Sequence, residues 1–425
     1  MRIIDLKDIT KGQDVPKIAY RPIKALEDRI YFEKVQGTLE EEWTEGIYRF
    51  DLEDKSLTKI DTGRHDQDPS LYDIDVPGSY EDVLVMKSMD YMYYCVATEL
   101  MREMLLEFFI IDTRDDSQSE ILSFTFPKQE FIYRGMEILT SGYFIFTLAD
   151  SENPFESTIK DKVYLVDIEA KSLYEIHDNL FKMTSGKRVV AGEEQKHILV
   201  EETYLSEEEE LELLVSNDVE LDMEIPEDLT EDFVFHNSIK YLPFENFLRL
   251  VKIGSKSMQF RTLDSIYKEG VLRVIGESEA KLYYKKNKHE FLLQESKELK
   301  DRLMIGKEEI FSLNKNTLEI DKIADLGAGT MVAFENDKVY EVHEDEKKVD
   351  IKDVDTEDFL CKYEKVEAER EHFYDIFADR YLVIGVFGTK DKPKESYLKI
   401  VDTKGEEKDR KCEDLFIIGD TAFIG

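Results

Sequence analysis

The stretch from Ile47 to Ile60 reads Ile-Tyr-Arg-Phe-Asp-Leu-Glu-Asp-Lys-Ser-Leu-Thr-Lys-Ile, and the stretch from Val163 to Ile176 nearly writes it again as Val-Tyr-Leu-Val-Asp-Ile-Glu-Ala-Lys-Ser-Leu-Tyr-Glu-Ile. An echo of this length marks a repeat architecture. In each copy an apolar strand runs into an Asp, Asp51 or Asp167, crosses a polar turn and re-enters a strand at Leu57 or Leu173. An Asp at a strand end accepts backbone N–H groups of its own turn, so the pattern specifies a β-hairpin rather than a chemical site.

Strand signals surround these hairpins in sets of four, over residues 18–60, 82–124 and 131–176, with Asp51, Asp112 and Asp167 closing the third strand of each. Further units are expected at 188–225, at 238–276 with Asp264 as marker, at 281–326 with Asn314 in the Asp position, and at 355–425 with Asp402. Residues 331–354 read as an extra hairpin around Val339 to Val342. A four-stranded antiparallel unit recurring about every 55–60 residues cannot close its own core, and radial packing is the economical solution. The chain stops on an apolar strand, Thr421 to Ile424, whose edge would pair with the N-terminal unit.

Four-stranded units, an aromatic shortly before the Asp that ends the third strand, and this spacing together resemble a β-propeller. The resemblance covers most of the chain and implies one all-β domain over 1–425, with about seven blades and six or eight as alternatives. It names no propeller family: one Trp excludes a repeated Trp-Asp dipeptide.

Against 57 basic residues stand 95 acidic ones, a formal charge of −38 that repels phosphate backbones and anionic lipid, so neither nucleic acid nor a membrane surface is an expected partner. Three widely spaced cysteines, Cys95, Cys361 and Cys412, supply no disulfide framework and no CxxC metal site. With no signal-like N-terminus and no long apolar run, a cytoplasmic protein is expected.

Catalytic motifs fail when tested. His289-Glu290 lacks the second His of a zinc-protease helix, where Leu293 stands. Ser185-Gly-Lys-Arg188 and Gly327-Ala-Gly329 lack the partners of phosphate and dinucleotide loops, and no Gly-x-Ser-x-Gly occurs. The most site-like cluster is His65-Asp66-Gln67-Asp68 after the fourth strand of the first unit, echoed by His177-Asp178 after that of the third. In a propeller such connections share a face with the loops between second and third strands, which adds Glu41, Glu42 and Trp43. His65, Asp66 and Asp68 are the set that could take a divalent metal, although no metal or other cofactor is expected. The polar run Glu367 to His372, followed by Asp375, reads as a solvated turn. The expected function is a non-enzymatic intracellular binding or scaffold module engaging a protein or small molecule through this face. The alternative is a glycosidase- or lactonase-like hydrolase using its carboxylates.

Overall fold

The computed structural model describes residues 2–6, 18–37, 42–60, 79–85, 90–154, 158–183, 186–207, 233–267, 270–288, 308–327, 330–367, 370–388, 396–406, 408–412, 415–418 and 421–424. The Asp hairpins form as turn chemistry requires. Asp51 Oδ1 accepts the N–H groups of Glu53 at 3.0 Å and Asp54 at 3.3 Å, and Asp167 Oδ1 accepts that of Ala170 at 3.0 Å. Asn314 Oδ1 does the same for Asn316 and Thr317, and Asp402 for Lys404 and Glu406. Four residues beyond Asp51, Asp167 and Asn314, Lys55, Lys171 and Leu318 take the left-handed conformation that returns the chain to its fourth strand, and after Asp402 Gly405 does so three residues on.

These hairpins are the third and fourth strands of antiparallel sheets whose four strands follow one another in sequence, over residues 18–59, 79–127, 131–176, 188–267, 270–326, 331–364 and 371–412. An eighth sheet joins both ends of the chain: Arg2–Asp5 pairs parallel with Thr421–Ile424, which pairs antiparallel with Leu415–Ile418. The fold is a β-propeller of eight blades. Blades are numbered here in the order given, with the terminal sheet as blade 8. Among the described residues no helix is long and apolar enough to cross a membrane.

Eight is the upper of the counts the sequence allowed, and the sheets divide the chain differently from the seven expected segments. Phe233–Pro243 pairs in continuous register with His197–Glu207, so both belong to blade 4. Residues 208–232, which include the last part of the unit expected at 188–225, lie outside the described residues. The third strand of this blade ends not in an Asp turn but at Pro243, where the helix Phe244–Lys252 begins. Asp264 sits on the fourth strand, Arg261–Tyr267, and accepts the Tyr284 hydroxyl at 2.6 Å instead of capping a turn. Residues 331–354 supply three strands of blade 6, with Asp353 as their marker: its Oδ1 accepts from Asp355 at 2.9 Å and Thr356 at 3.1 Å. The stretch 355–425 is shared among blades 6, 7 and 8.

The chain forms two compact units. One holds blades 1, 2, 3 and 8, the other blades 4 to 7. In the first, Phe108 lies among Phe144 at 5.1 Å, Phe146 at 4.9 Å and Tyr133 at 6.5 Å between ring centres. In the second, Tyr340, Val342, Val349 and Ile351 of blade 6 pack on Ile376, Leu382 and Ile384 of blade 7.

A tyrosine stands third in the second strand of blades 1, 2, 5 and 6, as Tyr31, Tyr93, Tyr283 and Tyr340, and each hydroxyl donates to a turn of the next blade. The acceptors are Asp116 Oδ1 at 2.7 Å, Ser141 O at 3.3 Å, Asp337 Oδ1 at 2.7 Å and Asp379 Oδ1 at 2.9 Å. Burial pushes the Tyr93 phenol up to about 12 and raises the other three also, so all remain protonated donors at neutral pH. The ring fills apolar space between blades while the hydroxyl fixes their rotation.

Candidate functional site

Glu41, His65, Asp66 and Asp68 lie outside the described residues. Glu42 and Trp43, expected in the loop between second and third strands, belong instead to the strand Glu42–Asp51, where they pair with Gly37 and Gln36. His177 is exposed after the fourth strand of blade 3. Its neighbour Asp178 is buried, with Oδ1 accepting the Phe181 N–H at 2.7 Å and Oδ2 that of Met258 at 2.6 Å. That geometry fixes two backbone segments and leaves Asp178 no opening to a ligand. Among the described residues no group of three or more His, Cys, Asp and Glu could hold a metal ion.

A different cluster is assembled, where blades 6 and 7 meet. The second strand of blade 6, Lys338–Glu344, ends on Glu344, and a tight turn follows in which Asp345 Oδ1 accepts the N–H groups of Lys347 and Lys348. The fourth strand, Phe359–Glu364, delivers Lys365, and Glu371–Phe377 opens blade 7 with Glu371 and His372. Glu344 Oε1 accepts from Lys365 Nζ at 2.7 Å and lies 2.9 Å from His372 Nδ1, while Oε2 accepts the Phe373 N–H at 3.0 Å. The Lys365 side chain is only 2% exposed and that of His372 is 49% exposed. The carboxylate thus anchors the imidazole, whose Nε2 is the nitrogen left to meet a ligand.

Around this pair, Glu371 Oε2 accepts the Tyr363 hydroxyl at 3.1 Å and the Val366 N–H at 2.8 Å. Lys399 Nζ donates to Tyr363 at 3.0 Å and pairs with Asp409 at 3.0 Å. Arg370 Nε donates to Phe387 O at 2.7 Å, and the Phe387 ring stands 5.7 Å from the His372 ring. Phe387 and Val366 are 54% and 78% exposed, giving the charged cluster an apolar border.

Burial by itself would raise the Glu344 carboxyl, but the Lys365 ammonium, the Phe373 N–H and the imidazole together outweigh it and hold the group below the ordinary carboxylate value. A carboxylate lowered in the folded state adds stability above its unfolded value, about 4.3 for Glu, and gives it up as pH falls through its native value. Thermal stability of the wild type therefore drops more steeply below about pH 4.3 than that of Glu344→Gln. Parallel curves for the two proteins across that range would show that the carboxylate has no such role.

Sequence alone contained half of this site. The run from Glu367 to His372 is visible as a polar cluster, but its anchor Glu344 comes from another strand, and only the packing of blade 6 on blade 7 brings them together.

By sequence, no protein family and no curated protein matches the chain. Solved structures do resemble it. The β-propeller domain of the Trilobed protease from Pyrococcus furiosus is 10% identical, with a TM-score of 0.45 over 93% of this chain and 95% of that one. An acylaminoacyl peptidase from Pyrococcus horikoshii is 13% identical, with a TM-score of 0.44, covering 96% of this chain and 53% of that one. Prolyl oligopeptidase B from Galerina marginata is 11% identical, with a TM-score of 0.46, covering 96% and 52%. This chain spans about half the length of those last two enzymes. At such identities the likeness is one of fold. These neighbours are peptidases or parts of them, which corrects the expectation of a non-enzymatic scaffold and of its glycosidase- or lactonase-like alternative.

Proposed function

We propose that the chain is the peptide-handling propeller of a peptide-cleaving system and works with a peptidase catalytic unit that supplies the nucleophile. The observation that carries this reading is the border of blades 6 and 7, where a carboxylate-anchored imidazole stands beside the exposed Phe387 and Val366. An extended peptide offers backbone N–H and C=O groups at short intervals with apolar side chains between them. His372 Nε2 suits the first, and the Phe387 ring and Val366 suit the second. A folded protein presents few such segments, so the surface favours unstructured chains. No Gly-x-Ser-x-Gly elbow occurs in the sequence, which fits a division of labour with a separate catalytic unit.

The test uses fluorescent unstructured peptides and the intact chain. Saturable binding is expected, weakened about tenfold when His372→Ala and Phe387→Ala are combined. In extracts depleted of the chain, peptide turnover followed by mass spectrometry should fall and recover on addition of wild type but not of the double variant. Equal binding by the two proteins, or turnover indifferent to depletion, would overturn the proposal.

A further inference from the structure

A cavity of about 320 Å³ lies between blades 5 and 6, among the turns at one end of the two sheets. Tyr283 and Ser312 of blade 5 line it, and Asp337 and Asp355 of blade 6 close it. An equivalent position elsewhere in the same chain is filled. Between blades 1 and 2, Tyr31 has Arg49 directly across from it on the third strand, and the Arg49 guanidinium reaches over to Asp116 in the hairpin turn of blade 2. Tyr31 donates to the same Asp116 at 2.7 Å. In blade 5 the register is identical, with Tyr283 across from Ser312. A serine is too short to reach the next blade, and the space that Arg49 occupies between blades 1 and 2 is open here.

The charge left around this space is negative. Two of its three lysines are engaged outside it, Lys338 with Asp379 at 3.2 Å and Lys322 with Glu309 and Asp325 at 2.6 Å each. That leaves Lys281 against the carboxylates of Asp321, Asp337 and Asp355, with Asp353 Oδ1 turned into its own hairpin. Ser312 is 4% exposed, so the inner end of the cavity is screened from bulk solvent. We propose that this pocket binds a guanidinium compound, which takes as a separate molecule the place that Arg49 takes between blades 1 and 2. A planar fork of N–H donors matches paired carboxylates better than an ammonium does and can lie against the Tyr283 ring. A volume of about 320 Å³ is at the small end for ligand pockets and suits a single arginine-like group. This site is separate from the His372 surface and does not depend on the peptide reading.

The experiment titrates acetyl-arginine-amide into the intact protein at low salt, with acetyl-lysine-amide and acetyl-glutamine-amide as controls, by calorimetry. Saturable binding of the arginine probe is expected, about tenfold tighter than the lysine probe, with none of the glutamine probe. Asp321→Asn combined with Asp355→Asn should weaken it about tenfold, and both positions are exposed enough to leave the fold intact. Ser312→Arg, which ties a guanidinium inside the cavity, should abolish binding. If Ser312→Arg fails to fold, the double Asn variant decides. Absence of saturable binding, equal binding of lysine and arginine probes, or binding unchanged in the double Asn variant would overturn the proposal.

Discussion

Replacing Glu202 with Ala should lower stability by about 3–5 kcal/mol, because it strands a buried ammonium. Glu202 lies on the second strand of blade 4, directly across from Ser238 on the third, and Lys240 is two residues further along the same face. Glu202, Ser238 and Lys240 are 2%, 0% and 8% exposed. The Ser238 hydroxyl donates to Glu202 Oε2 and Lys240 Nζ to Oε1 at 2.8 Å. Within such burial the pair is no net gain over well-packed hydrocarbon, since desolvating both charges offsets their attraction. Removing one member is another matter, for the Lys240 ammonium then stays buried with only the Asp178 carboxyl, among the described residues, within electrostatic reach, and both oxygens of that group are already held by backbone N–H groups. The double replacement Glu202→Leu with Lys240→Met should therefore recover most of the loss. Urea midpoints of the three proteins measure this. A single-variant cost below about 1 kcal/mol, or a double variant no better than the single, would contradict the assignment.

Phe108→Ala should cost about 3–5 kcal/mol for a different reason, a cavity in the core between blades 2 and 3. Phe108 is 1% exposed and its ring meets three others, Tyr133, Phe144 and Phe146. These belong to paired strands that cannot move inward without breaking their ladders, so the space left by the ring stays open. Phe359→Ala is the control. That ring is 51% exposed on the fourth strand of blade 6, and its loss should stay within about 0.5 kcal/mol. Thermal midpoints that ranked the two variants equally would mean the Phe108 site collapses around the deletion.

Much of this architecture is legible in the sequence, and the reason is local. An Asp or Asn that caps its own turn leaves a recurring signature at Asp51, Asp112, Asp167, Asn314 and Asp402, because the interaction spans only a few residues. Where the turn chemistry changes, the signature vanishes. Blade 4 replaces the Asp turn with the helix Phe244–Lys252, so its two halves read as separate units. Blade 6 retains its marker, Asp353, but the strand leading to it, Lys348–Asp353, alternates charge with short apolar residues and reads as part of an isolated hairpin. The site shows the same limit. Turn residues can be placed from neighbours in sequence, whereas Glu344 meets His372 only through packing between blades, which no local pattern records.

The eighth sheet ties Arg2 to Thr421 and Asp5 to Ile424 in parallel register. During synthesis, the first of these strands leaves the ribosome long before its partner exists, so blades 1 to 3 can assemble while one sheet still waits. Bringing such distant segments together costs about 5 kcal/mol in chain entropy, growing only with the logarithm of the intervening length. Preformed neighbouring blades reduce that cost by holding the ends near each other. Formation of the eighth sheet is thus timed by the emergence of Thr421–Ile424, and a ribosome stalled shortly before Thr421 would carry a chain in which Arg2–Asp5 still lacks this pairing.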